Sequence, residues 1–261
     1  MENLIYQAKD HIGYLTLNRP NNYNAFDRQT IEEFEQFWRE RRYDESVRVI
    51  VLDGGDAKGF CAGLDMQTYG PEMFKMPPTE AYNGQARMAR LLLAMRMAPQ
   101  PIISCIHGAA SGFGFSLAMA SDIRILAENA RFNAAYINIG LGGADMASSY
   151  FLPRLLGPFL GPLFPSVGSG RANEFLLTGN WMSAEEAMQL GFASRLVPKD
   201  QMLETAGELA QTMASKTPLG LRMTKEAINV NIDAGGLEAC LQMEDRNQMM
   251  VMYSLKLASP E

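Results

Sequence analysis

The sequence predicts an α/β fold, and three observations carry that expectation. Apolar strand-like runs, VRVIVLDG at 47–54, PIISCI at 101–106 and DIRILA at 122–127, recur between stretches with helical spacing. Glycine-containing loops follow the first two runs, as turns from strand to helix require. The last third of the chain is rich in helix-capping signals. At 261 residues the chain is long enough to bury a full core without disulfides or structural metals.

The elements follow in order. Residues 3–8 and 12–17 read as a hairpin turning at Lys9-Asp10-His11. Asp27 is placed to cap a helix in which Ile31, Phe34, Phe37 and Trp38 share one face. The strand at 47–54 leads through the loop GDAKGFCAGLDM into a segment with Pro71, Pro77 and Pro78. Helical spacing returns over 79–97 through Met88, Leu91, Leu92 and Met95. Pro101 opens the second strand, ASGFGFSLAMASD at 110–122 follows as loop and helix, and the third strand occupies 122–127. After residue 140 the expectation is helix almost throughout. Ser183 and Glu186 form a capping box, Pro198 begins another helix, and 218–230 and 237–253 make a helical tail. This divides the chain into an α/β core over 1–195 and a helical C-terminal region over 196–261.

Composition narrows the function. The chain is 47% hydrophobic and 20% charged, ordinary for a globular protein, and its net charge of −6 argues against nucleic acid or an anionic membrane as partner. No apolar run reaches the roughly 18 residues of a membrane span. The start, MENLIYQAKDHIGYLTLNRP, lacks the basic and apolar regions of a signal peptide, so a cytoplasmic protein is expected. Three scattered cysteines fit a reducing compartment, and with only two histidines no metal site is expected.

Two strands end in similar loops, GFCAGLD and ASGFGFS, in which Gly and Ala stand where a backbone could approach a ligand. Two inward N–H groups from separate loops make an oxyanion hole, worth roughly 2.7–4 kcal/mol per donor at a transition state. Each loop alone reads equally as a tight turn. A dinucleotide fingerprint fails because GFGFSL lacks its third glycine, and no Gly-Lys-Ser/Thr of a phosphate-binding loop occurs.

A series of segments in order extends over nearly the whole chain: LNRPNNYNAF at 17–26, GFCAGLD at 59–65, IHGAASGFG at 106–114, SDIRIL at 121–126, LTGNWMSAEEAMQLGFASRLV at 177–197 and KTPLGLRMTKEAIN at 216–229. The series resembles the enoyl-CoA hydratase/isomerase (crotonase) superfamily. The resemblance implies crotonase-like repeated ββα units with a helical C-terminal trimerisation region, and a homotrimer or hexamer. It also implies an acyl-CoA substrate, with coenzyme A present only as part of the thioester and no separate cofactor. The thioester enolate would be held by the backbone N–H groups of Leu64 and Phe113, although the family usually has glycine at the second position. The coenzyme A path would run along the backbone at Ala25, Ala62 and Leu64, with Lys58 and Arg19 as candidate phosphate contacts.

Hydratases of that family carry two glutamates, and at those positions this chain has Ser116 and Tyr136. Syn-hydration needs one group to activate water and another to deliver a proton, so hydratase chemistry is not expected. Asp145 aligns with the aspartate of dienoyl-CoA isomerases and of 4-chlorobenzoyl-CoA dehalogenase. Read without the resemblance, it is an N-cap for the following helix. The favoured expectation is double-bond isomerisation with Asp145 as the single base and Tyr136 lining the acyl pocket or bonding to Asp145. The alternatives are a hydratase, a dehalogenase- or hydrolase-like enzyme on an unusual acyl-CoA, and a non-catalytic acyl-CoA-binding protein. His107 is read as structural, Asp65 as the cap of a short helix, and 158–170 as an apolar insertion bearing on substrate size or a subunit interface.

Overall fold

A computed structural model describes residues 1–156, 169–233 and 236–258. The expected hairpin forms: β1 (Leu4–Lys9) and β2 (Ile12–Leu17) pair antiparallel with Leu4 opposite Leu17. Its tight turn places Asp10 and His11 at φ of 51° and 65°, a region that Asp and His enter more readily than bulky residues. Helix α1 (Arg28–Arg41) starts where the Asp27 carboxylate accepts the Thr30 N–H at 2.8 Å, and it buries Ile31, Phe34, Phe37 and Trp38. Strand β3 (Val49–Asp53) is buried at every residue, as a parallel strand covered on both faces must be.

Helix α2 (Tyr69–Lys75) follows Asp65, in the proline-containing segment. Pro71 is its third residue, in the first turn, where an N–H has no helical acceptor to lose. Then come α3 (Pro78–Met97), β4 (Ile102–Ile106), β5 (Ala109–Ser111), α4 (Phe113–Ala120), β6 (Ile123–Ala127) and β7 (Arg131–Asn133). The remainder holds α5 (Ser148–Leu155), α6 (Ser169–Thr178), β8 (Met182–Ser183), α7 (Ala184–Gln189), β9 (Arg195–Val197), α8 (Met202–Ala214), α9 (Pro218–Asn231) and α10 (Leu237–Ala258). The insertion read at 158–170 lies outside the described residues except for Ser169 and Gly170, which open α6.

The strands form two sheets, a larger one ordered β1-β2-β3-β4-β6-β9 and a smaller one ordered β5-β7-β8. All pairs of the larger sheet beyond the hairpin are parallel. The units β4–β5–α4 and β6–β7 repeat one theme, in which the first strand enters the large sheet and the next the small one. The small sheet was missed in the sequence because strands of two or three residues are too short to show a period. The chain after residue 140 is therefore not all helical.

One face of the large sheet packs Leu15, Ile50, Leu52 and Leu126 in a cluster with Phe34 of α1, Met88 of α3 and Phe115 of α4. The other packs Val49, Val51, Ile103 and Ile125 against Met202, Ala206, Ala210 and Ala214 of α8. The division expected at 195/196 thus runs through β9, and α8 covers the sheet. Helix α9 is pinned by the buried Lys225, whose Nζ meets Met95 O at 3.1 Å, Gln100 O at 2.8 Å and Asp122 Oδ2 at 2.9 Å.

Candidate active site

The loops after β3 and β4 meet edge to edge. Cys61 N donates to Ala109 O at 3.1 Å and Ser111 N to Cys61 O at 2.9 Å. Two glycines permit this approach. A Cβ on Gly63, which sits at φ +96°, would lie 2.8 Å from Ser111 O and 3.1 Å from Phe113 N, and one on Gly114 would fall on Cys61 O. Close packing of backbone on backbone thus explains the glycines quoted from the sequence.

Two backbone N–H groups lie beside that contact, on residues that line one cavity. Phe26 donates to Gly63 O at 2.8 Å and accepts from Asp65 N at 2.9 Å, so the intervening Leu64 N–H is turned away from it. Phe113 is the first residue of α4, where an N–H has no helical acceptor. Among the described residues neither N–H has an acceptor. The Phe113 ring packs edge-on against Phe26 at 5.0 Å and is buried, so it occupies core volume and leaves its N–H clear. All eight residues of α4 are buried, and its dipole adds positive potential at this end.

A cavity of about 390 Å³ opens over these loops. Ala62, Leu64, Phe113, Tyr136 and Asp145, expected from the sequence, line it together with residues of α2 and α3. Among the described residues, Asp145 is the only charged side chain in its wall. Its Oδ1 accepts from Gln85 Nε2 at 2.6 Å and from Met146 N at 2.7 Å. It does not cap α5, whose N-cap is Ala147 with no side-chain bond, so the capping expectation is corrected. Met146 and Ala147 follow at φ of 46° and 61°, a left-handed pair costing roughly 1–2 kcal/mol per residue.

The family model for enoyl-CoA hydratase/isomerase matches residues 7–257. The chain belongs to the enoyl-CoA hydratase/isomerase family. It is 36% identical over 251 residues to "Probable enoyl-CoA hydratase EchA12" of Mycobacterium tuberculosis, covering 95% of this chain and 84% of that one. The enoyl-CoA hydratase of Bacillus anthracis superposes with a TM-score of 0.86 at 30% identity, covering 96% and 91% of the two chains. A monofunctional enoyl-CoA isomerase of Mycobacterium smegmatis superposes with a TM-score of 0.75 at 32% identity, covering 93% and 99%. The fold is the crotonase fold that these proteins share.

Within this enoyl-CoA hydratase/isomerase frame, Ser116 and Tyr136 bond to each other, Oγ to phenol oxygen, at 2.8 Å. Both are buried, and burial pushes the Tyr136 phenol above its ordinary range. Tyr136 therefore lines the cavity but does not bond to Asp145.

The candidate coenzyme A residues separate. Ala62 is exposed and lines both the cavity and a neighbouring groove of about 470 Å³ that also holds Lys58 and Arg131. Ala25 lines neither; it is buried, its N–H donates to Asn22 O at 2.9 Å, and its carbonyl accepts from Arg19. The Arg19 guanidinium is committed to Asp27 at 3.0 Å and Asp65 at 2.9 Å, a structural clamp with no free fork for phosphate. Asp65 also accepts from Gln67 N and Thr68 N, both at 3.0 Å, which caps the turn before α2. His107 is buried with Nε2 on Ala57 O at 2.7 Å, a structural position as expected.

Gln85 escaped the sequence reading. Its signal was faint: Ala81, Gln85 and Met88 share one helical stripe, and Gln85 is the polar residue in it. Among the described residues no group of three His, Cys, Asp or Glu could hold a metal ion, and no helix is long and apolar enough to cross a membrane.

Proposed function

We propose that this family member moves the double bond of an enoyl-CoA, with Asp145 as its single base. The observation that carries this is a cavity lined by the Asp145 carboxylate and by Leu64 and Phe113, whose backbone N–H groups have no acceptor among the described residues, while Ser116 and Tyr136, where the resemblance puts the hydratase glutamates, bond to each other. In this reading the thioester oxygen sits at Leu64 N–H and Phe113 N–H. Asp145 removes an α or γ proton, and the electron pair of the broken C–H bond moves into the dienolate held by the two donors. The same carboxylate returns the proton at the other end of the conjugated system, so no water, oxidant or reductant is consumed. A positioned base contributes about 10²- to 10⁴-fold, and each donor roughly 2.7–4 kcal/mol.

The acyl group is read into the space among Met73, Phe74, Met88 and Ile139, and the coenzyme A moiety past Ala62 towards Lys58 and Arg131. The same reading includes a homotrimer or hexamer assembled through the C-terminal helices. In support, α9 and α10 expose Ile228, Met250, Tyr253 and Leu257.

The test is mass spectrometry of 2-enoyl- and 3-enoyl-CoA panels incubated in heavy water with the wild type and Asp145→Asn. Double-bond migration with deuterium at the α or γ carbon, reduced at least about 100-fold in Asp145→Asn, is the expected result. Net addition of water by the wild type would overturn this chemistry and restore a hydratase.

A further inference from the structure

Helix α3 carries both a wall of the acyl cavity and the side chain that grips the proposed base. Ala81, Gln85 and Met88 lie along one stripe of it, and all three line the cavity. Gln85 reaches across 60 positions of sequence to Asp145 Oδ1 at 2.6 Å. An ionised carboxylate only accepts, so the amide must present Nε2 to it. Met146 N grips the same oxygen at 2.7 Å, whereas among the described residues Oδ2 accepts nothing. The two carboxylate oxygens are therefore inequivalent: one is held by two donors and the other has none among the described residues.

We propose that Gln85 is a positioning residue that pins Oδ1 and so assigns proton transfer to Oδ2. This rests on the reading of Asp145 as the base. Asp145 sits on irregular backbone, just before the left-handed pair Met146 and Ala147. Without a tether its side chain would be free to turn about χ1 and χ2. The bond from α3 fixes both torsions, and a misplacement of about 1 Å at a reacting atom costs on the order of 100-fold in rate. Because α3 also lines the cavity into which the acyl group is read, a substrate that displaces this helix would misalign the base, which couples acyl shape to rate through one side chain. Among the described residues, the other titratable groups in the cavity wall are the phenols of Tyr82 on α3 and Tyr136, and no cationic side chain lines it.

Two variants test the assignment, with the enoyl-CoA of the panel that the wild type turns over fastest. Gln85→Met keeps the volume and removes the donor; kcat is expected to fall about 10- to 100-fold while affinity for saturated hexanoyl-CoA stays within about threefold. Gln85→Glu places a second carboxyl against Oδ1. The two must then share a proton, so the acid limb of the kcat/KM profile moves up by about one pH unit or more. A purely structural Gln85 would lower the melting temperature of Gln85→Met but leave its kcat at the wild-type value. If Gln85→Met fails to fold, the Gln85→Glu profile carries the test, since that side chain keeps the shape. Wild-type kcat and an unmoved acid limb in both variants, with Asp145→Asn inactive, would overturn the positioning role alone. Full activity in Asp145→Asn, or a wild type inert on every panel member, would overturn the base assignment and this one with it.

Discussion

Ser116 and Tyr136, both buried, bond to each other through their hydroxyl groups, and the proposed function gives that pair a structural rather than a catalytic part. Removing one partner strands the other. Ser116→Ala should lower stability by about 1–3 kcal/mol, read as a shift of the urea midpoint, and should leave double-bond migration within about threefold of wild type. A loss of turnover as deep as in Asp145→Asn would show that the hydroxyl takes part in chemistry. His107 gives a pH signature at the same scale. Burial, partly opposed by the bond to Ala57 O, depresses its pKa below 6.5 in the folded state. The unfolded chain therefore binds the proton more readily, and stability is lost as pH falls below about 6.5. The urea midpoint should drop between pH 7.5 and 5.5, with a slope approaching about 1.4 kcal/mol per pH unit from this residue, and less steeply in His107→Gln.

At the scale of elements, α9 is tied to the sheet by one charged group in a dry environment. Lys225 bonds two carbonyls and Asp122, and Arg96 shares that carboxylate at 3.3 Å. Lys225→Ala leaves Asp122 and two carbonyls short of a partner. Chemical denaturation should show a loss of about 3–5 kcal/mol, whereas a loss below about 1 kcal/mol would mean that water replaces the amine easily. The loops behave differently, because their alignment depends on the absence of side chains at Gly63 and Gly114 and on a ring, Phe113, packed into the core.

For the whole molecule, the C-terminal helices leave a large apolar surface uncovered, including Ile228, Leu237, Met250, Tyr253 and Leu257. A single chain with such a surface is expected to associate. Light scattering coupled to size exclusion should give three or six times the chain mass of 28.9 kDa. A stable monomer at micromolar concentration would remove the helical region's proposed role in assembly.

Periodicity and local signals were sufficient for the elements that are long or capped. The hairpin, α1 behind Asp27, α3, the buried parallel strands and the C-terminal helices were all legible, because a face of apolar residues repeats at 3.6 or 2 and a cap is a local bond. The resemblance carried by the loop segments brought the family and the residues Leu64, Ala62, Phe113, Tyr136 and Asp145, which the fold gathers around one cavity. Tertiary structure alone decided the rest. The three-stranded sheet exists because short segments far apart in the chain complete one another's hydrogen bonds, which no local window records. Arg19 looked available for phosphate until the fold brought Asp27 and Asp65 to it, and Ala25 looked like backbone for a ligand until its own groups were paired. Asp145 looked like a cap until α5 began at Ser148 behind Ala147, and Gln85 drew no notice until the fold laid the Asp145 loop beside α3. In each case the deciding partner lies elsewhere in the chain, and a side chain's role is set by what meets it in space.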